Sequence, residues 1–226
     1  MINMDGPDIP ASEAGADVVT PGGFDRRMVV LVTLAAVAGL AGGIVTDFLQ
    51  QHLHGGWSVL TDSVAPWLSV AFAAGALLPS RHWAGAFAGL ASQAGLVAGY
   101  FVTAALRHVA ADAGIIMFWL GAGALGGPVY GAAGAGWRGQ RLAWRTAGAA
   151  LFGGVWLLDG AYYVQLAARP GAGPGVTAGW CEITAGVVLA FALGRSWRGR
   201  LLSVIGLIPV VLLGAGVYAL ANNAIP

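Results

Sequence analysis

Seven apolar runs, each about 20 residues long, limit this chain more than any other feature, because that length crosses a hydrocarbon core of about 30 Å. They fall at roughly residues 28–50, 60–79, 83–106, 114–136, 144–167, 175–194 and 200–221. In lipid a backbone has no water to bond, so such runs must close their hydrogen bonds internally, as helices. The expected fold is all-α: an integral membrane bundle of seven transmembrane helices over residues 28–226. Short connections make consecutive helices antiparallel neighbours.

Composition supports this. Of the 226 residues 58% are hydrophobic and 9% charged, with mean hydropathy +0.75, against about 25% charged in a soluble domain. The 37 glycines supply the small surfaces that let membrane helices approach closely without heptads. A single cysteine, Cys181, excludes an intrachain disulfide and any cysteine-based metal cluster. No basic patch outside the loops suggests nucleic acid. Residues 1–23, rich in Pro, Gly, Ala and Asp, lack the basic and apolar regions of a signal peptide, and residues 1–27 are expected to form a disordered cytoplasmic tail.

The basic residues, all arginine, set the orientation. Arg26, Arg27, Arg81, Arg138, Arg141, Arg145, Arg195, Arg198 and Arg200 fall at one end of the runs, and Arg107 and Arg169 at the other. The positive-inside rule then places the N-terminus in the cytoplasm and the C-terminus outside.

Against that frame Asp159 stands out, with no basic residue within six positions on either side. An ionisable group at membrane depth costs at least a few kcal/mol and marks a site unless it serves packing or lies at the interface. On a helix, Trp156, Tyr162 and Tyr163 share its face. At 1.5 Å per residue Asp159 lies about 12 Å from the outer end of its run, and Glu182 about 10 Å from the start of the next. Both acids are therefore expected at one level on neighbouring helices. Asp47, Asp62 and Asp112 belong to the same outer half; Asp62 reads either as an N-cap of the second run or as a chemical group.

Trp83, Trp137, Trp144 and Trp197 form an interfacial belt beside arginines. Trp67, Tyr100, Trp119, Trp156, Tyr162, Tyr163 and Trp180 fall in the outer half, where they are expected to line a pocket. Gln93 reads as a bridge between helices, Pro128 as a kink, and Cys181 as core. Asp47, His52 and His54 can be drawn as a metal site, but an H-x-H pair in a short loop is weak, and neither a metal nor a cofactor is expected.

The segments Thr61-Asp-Ser-Val-Ala-Pro-Trp67, Ala98-Gly-Tyr100, Phe118-Trp119, Gly126-Gly-Pro-Val-Tyr-Gly131 and Trp180-Cys-Glu182 resemble a family of small actinobacterial membrane proteins without an assigned function, over about residues 35–190. That resemblance implies a multi-pass protein of the bacterial plasma membrane. The family is expected to carry asparagine where Asp62 stands and glutamate where Asp159 stands, so this chain departs from it at both. In plan the sequence is also similar to the membrane-bound terpene cyclases of meroterpenoid and indole-terpenoid pathways. That likeness implies proton-initiated cyclisation of a prenyl chain on a lipophilic substrate, with Asp62, Asp159 and Glu182 as the acid and base groups. A neutral buried acid, ring faces that stabilise carbocations, exclusion of water and delivery of substrate from lipid are what such chemistry needs. The rival expectation is a membrane protein that binds or transports a small organic cation or vitamin.

Overall fold

A computed structural model describes residues 25–169 and 175–224, with side chains described as far as residue 216. The expected tail lies outside the described residues up to residue 24. Among the described residues the chain is all-α, without strands. Its elements are α1 (Arg26–His52), a single 3-10 turn (Gly55–Trp57), α2 (Val59–Asp62), α3 (Val64–Ala76), α4 (His82–Leu106), α5 (Ala113–Trp137), α6 (Leu142–Ala167), α7 (Val176–Ala192), α8 (Trp197–Ile205) and α9 (Leu207–Ala224).

Four described stretches are long and apolar enough to cross a membrane: α1, α4, α5 and the run Trp197–Gly216. A fifth is the bent pair Gly55–Asp62 and Val64–Ala76. These helices mark the chain as a membrane protein with surfaces for lipid. The remaining two expected spans fall short for physical reasons: α7 has 17 residues, and in α6 the carboxylate of Asp159 and several glycines and tyrosines lower the hydropathy. The second expected span is broken at Ser63 and the seventh is divided at Gly206, whereas α5 continues through Pro128.

Glycines set the packing. α1 lies on α4, α4 on α5, and α6 on α7, while α3 is wedged against α4 and α5 and reaches α6. Gly153 and Gly160 of α6 face Gly186 and Gly179 of α7 so closely that a Cβ on any of the four would collide with backbone of the opposite helix. Gly89 on α4 and Gly127 on α5 meet in the same way. With no hydrophobic force between helices in lipid, this close backbone approach is the main source of cohesion. It also brings Asp159, next to Gly160, level with Glu182.

The arginine-rich loops meet at one end. Arg81, before α4, pairs with Asp25, the N-cap of α1, at 2.9 Å. The Ser80 amide donates to the Ala135 carbonyl near the end of α5 at 3.0 Å. Arg138 and Arg195 both stand 5.9 Å from the Trp137 ring, whose Nε1 donates to Leu193 O at 3.0 Å. At the opposite end Arg107 binds Asp47 through Nε and Nη2, and Asp47 is fully buried. That ion pair engages both oxygens of Asp47.

Two predictions follow from these contacts. Gly160→Val, which forces α6 off α7, is expected to destabilise the protein by about 2 kcal/mol or more, whereas Gly121→Ala, with nothing within 4 Å of the added methyl, is expected to leave stability unchanged or raise it by up to about 1 kcal/mol. Thermal unfolding in detergent separates the two outcomes. The Asp25 carboxyl is held below its ordinary value first by the Met28 amide and then by Arg81. Its folded value is therefore the depressed one, so this cap and ion pair contribute fully above about pH 4 and fade as pH falls through the lowered value. Titration of the Asp25 carboxyl carbon by NMR, with Arg81→Gln as the comparison, checks this; the variant should titrate at higher pH.

Candidate functional site at the α2–α3 break

α2 and the turn before it meet α3 at 43°. The hinge is Ser63, with extended backbone angles of φ −71° and ψ 133°. A helix that begins inside an apolar bundle exposes its first amides to a medium that offers them no partner. Two features meet this demand. Pro66, in the first turn of α3, has no N–H to satisfy. Asp159 reaches across from α6 and accepts from Ala65 N at 2.9 Å and from Ser63 Oγ at 2.5 Å. The Val64 amide acts on the same carboxylate. Asp159 thus caps a helix other than its own by accepting its first amides, and its charge faces the positive end of α3.

This reassigns a sequence expectation. Asp62 was the candidate cap of this helix, but it is the last residue of α2 and its carboxylate points elsewhere. Ser63 occupies the N-cap position yet makes no capping bond with its own side chain; its hydroxyl goes to Asp159. One turn further along, Trp156 Nε1 donates to Ser69 Oγ at 3.1 Å, so α6 is fastened to α3 at two levels.

Glu182 comes from α7. It is 1% exposed, and neither of its oxygens has a hydrogen-bond partner among the described residues. Its surroundings include Ser63 and the charge of Asp159. Tyr163, also buried, lies within range of the charges of Asp159, Asp62 and Glu182, and its ring packs on Tyr162 at 5.2 Å. All three acids expected to act together lie within electrostatic range of Tyr163.

Asp62, the exposed member, is held by Gln50 of α1, whose Nε2 donates to Oδ1 at 2.9 Å. Gln50 in turn accepts from Tyr100 Oη at 2.6 Å. Tyr100 belongs to a ring cluster in which Trp67 lies 5.9 Å from Tyr100 and 4.7 Å from Trp119. Among the described residues the buried Trp67 indole N–H has no acceptor, while the Trp67 carbonyl accepts from Gln93 at 2.8 Å, the bridging role expected of that glutamine.

Trp180 does not join the group. It is 56% exposed, on the face of α7 opposite Glu182, together with Cys181, Thr177 and Thr184 along an open recess. Cys181, expected in the core, is exposed because it too belongs to this outward face. Beside Tyr163 a cavity of about 90 Å³ opens between Gly55, Ser58, Val59 and Gly175. That is room for a few waters, below the roughly 300 Å³ at which ligand pockets begin.

Gln50 and Ser63 were missed as site residues. Ser63 carried a readable signal, a serine ahead of a run with proline in its first turn. Gln50 carried none, because its role depends on how α1 lies on α4.

The fold and site define a helical membrane protein in which one broken helix is capped by a carboxylate from another helix. A family model, described as a family of unknown function (DUF6518), matches residues 24–224, and the chain belongs to that family. No curated protein and no solved structure matches the chain.

If Asp159 is the cap of α3, Asp159→Ala should lower stability by about 1–2 kcal/mol, and Asp159→Asn, which keeps an acceptor oxygen, by less. Asp62→Asn should be nearly neutral. Denaturation followed by tryptophan fluorescence checks the ranking.

Proposed function

We propose that the chain is an integral membrane terpene cyclase that starts ring closure by protonating a prenyl chain on a lipophilic substrate. In this reading α1, the α2–α3 pair, α4, α5, α6, α7 and the α8–α9 pair are seven spans of a bacterial plasma membrane. The arginine-rich end faces the cytoplasm. One observation carries the assignment of roles: Asp62 is the acid a substrate can reach, held by Gln50 and joined through it to Tyr100 of the Tyr100–Trp67–Trp119 cluster, and the lipophilic substrate that covers it supplies the burial that keeps the acid neutral and water out. Asp159 is committed to the start of α3, so Asp62 is the donor.

The chemistry balances without an oxidant. The Asp62 proton goes to a terminal alkene or epoxide of the prenyl chain, and internal alkene electrons close the carbon–carbon bonds. The last cation gives a proton back to a carboxylate of the same group. Gln50, with its oxygen occupied by Tyr100, presents N–H to Asp62 and stabilises the carboxylate left after transfer. The faces of Trp67, Trp119 and Tyr100 attract the travelling cation by about 0.5–2 kcal/mol each. Space for the substrate must come from lipid-side opening of these rings, since the cavity beside Tyr163 is small.

One observation favours a second reading, in which a small organic cation is bound or moved without chemical change. Discontinuous helices at a binding site are a transporter device, and the 43° bend at Ser63 is such a break.

Purified protein in lipid vesicles, given a farnesylated aromatic compound, is expected to yield a cyclised isomer of unchanged mass. Asp62→Asn should reduce the rate at least about 100-fold. Full activity in that variant, or saturable binding of an organic cation with no isomer formed, overturns the cyclase reading.

A further inference from the structure

Two carboxyl groups share the α2–α3 break, and they are served unequally. Asp159 accepts the Ser63 hydroxyl and the Ala65 amide and faces the start of α3. Glu182 is the more confined of the two, at 1% exposure against the half-buried Asp159, and among the described residues neither of its oxygens has a hydrogen bond. Ser63 stands near both acids, but it has one hydrogen and gives it to Asp159.

An ionised carboxylate left without donors in an apolar interior costs several kcal/mol, and a second negative charge beside it adds repulsion. Two carboxyls so placed resolve the conflict by holding one proton between them. The charges and polar groups near Glu182 come from three elements. From α6 they are Asp159 and the phenol of Tyr163; from the α2–α3 hinge, Ser63 and, through Tyr163, Asp62. Within α7 the neighbouring Cys181 faces outward. Among the described residues Asp159 is the charge that acts on Glu182. Among the described residues no cation acts on Glu182 to offset a second negative group.

We infer that the α2–α3 break is a proton-binding site in which Glu182 carries the proton and Asp159 the charge. Loss of that proton would set Glu182 in competition for the Ser63 hydroxyl, so protonation is coupled to the integrity of the cap and to the bend. Within the cyclase reading the same assignment removes Glu182 as the terminal base and leaves that step to Asp62 itself. The inference does not depend on that reading, because it rests on burial and hydrogen bonding alone.

Infrared spectra of the full-length protein in phosphatidylcholine vesicles at pH 7, in H₂O and D₂O, distinguish protonated from ionised carboxyls. The expected result is a protonated-carboxyl C=O band that shifts in D₂O, survives Asp62→Asn, and is lost in Glu182→Gln. Glutamine copies the neutral acid in shape, so Glu182→Gln should also keep its thermal midpoint within about 3 °C of the unaltered protein. A spectrum without such a band, a band unchanged by Glu182→Gln, or a midpoint lowered well beyond that margin would each overturn the assignment. No substrate enters the measurement, so its failure and the failure of the cyclase reading are separate events.

Discussion

The carboxylate of Asp159 closes a gap that the bundle cannot close otherwise. A helix may begin in water at little cost, since solvent takes up its first amides; inside an apolar bundle each unsatisfied amide costs several kcal/mol. α3 begins in such a place because Ser63 is extended. The bond from Ala65 N to Asp159, at 2.9 Å, and that from Ser63 Oγ, at 2.5 Å, are what allow the break to persist. The remaining features of the site follow from the bend held by this cap. It turns Asp62 outward to Gln50, places the Trp67 ring against Tyr100 and Trp119, and leaves room for Glu182 beneath Ser63.

The cap works because helices approach one another to backbone contact. Had Gly153, Gly160, Gly179 and Gly186 carried side chains, α6 and α7 would stand further apart and Glu182 would not reach the level of Asp159. At the far side the Asp47–Arg107 pair joins α1 to α4. It fixes the register in which Gln50, one turn after Asp47, meets Tyr100, two turns before Arg107. Two unrelated devices, small residues between α6 and α7 and an ion pair between α1 and α4, thus deliver acids and donors to opposite flanks of one hinge.

Much of this was legible in the sequence, and for identifiable reasons. Period and length place the helices, because an apolar run in lipid has few alternatives. The level shared by Asp159 and Glu182 follows from counting 1.5 Å steps along adjacent helices. Side-chain direction was less accessible. Trp180 and Glu182 are two residues apart on α7, so they lie on different faces, and hydropathy cannot tell which face meets protein and which meets lipid when both are apolar. Cys181 was misplaced for the same reason. The exchange of roles between Asp62 and Asp159 was hidden more deeply. Sequence logic assigns a cap to the nearest acid in the chain, whereas the carboxylate that caps α3 comes from a helix 96 residues away from Ser63.

That exchange bears on how an acid in a membrane helix should be read. Depth and isolation make Asp159 conspicuous, and conspicuousness invites a catalytic role; yet its Oδ2 takes both the Ser63 hydroxyl and the Ala65 amide at the start of α3, which accounts for its position without any reaction. Asp62, closer to an end of its run, is exposed and is held by the single donor Gln50 Nε2. Glu182 is the acid that structure alone does not account for, since it accepts no bond and caps nothing. The useful question about an intramembrane carboxyl is therefore how many donors reach it. An acid with several donors is holding the fold, an acid with one and access to the outside is placed to exchange protons with a substrate, and a buried acid with none is placed to store one.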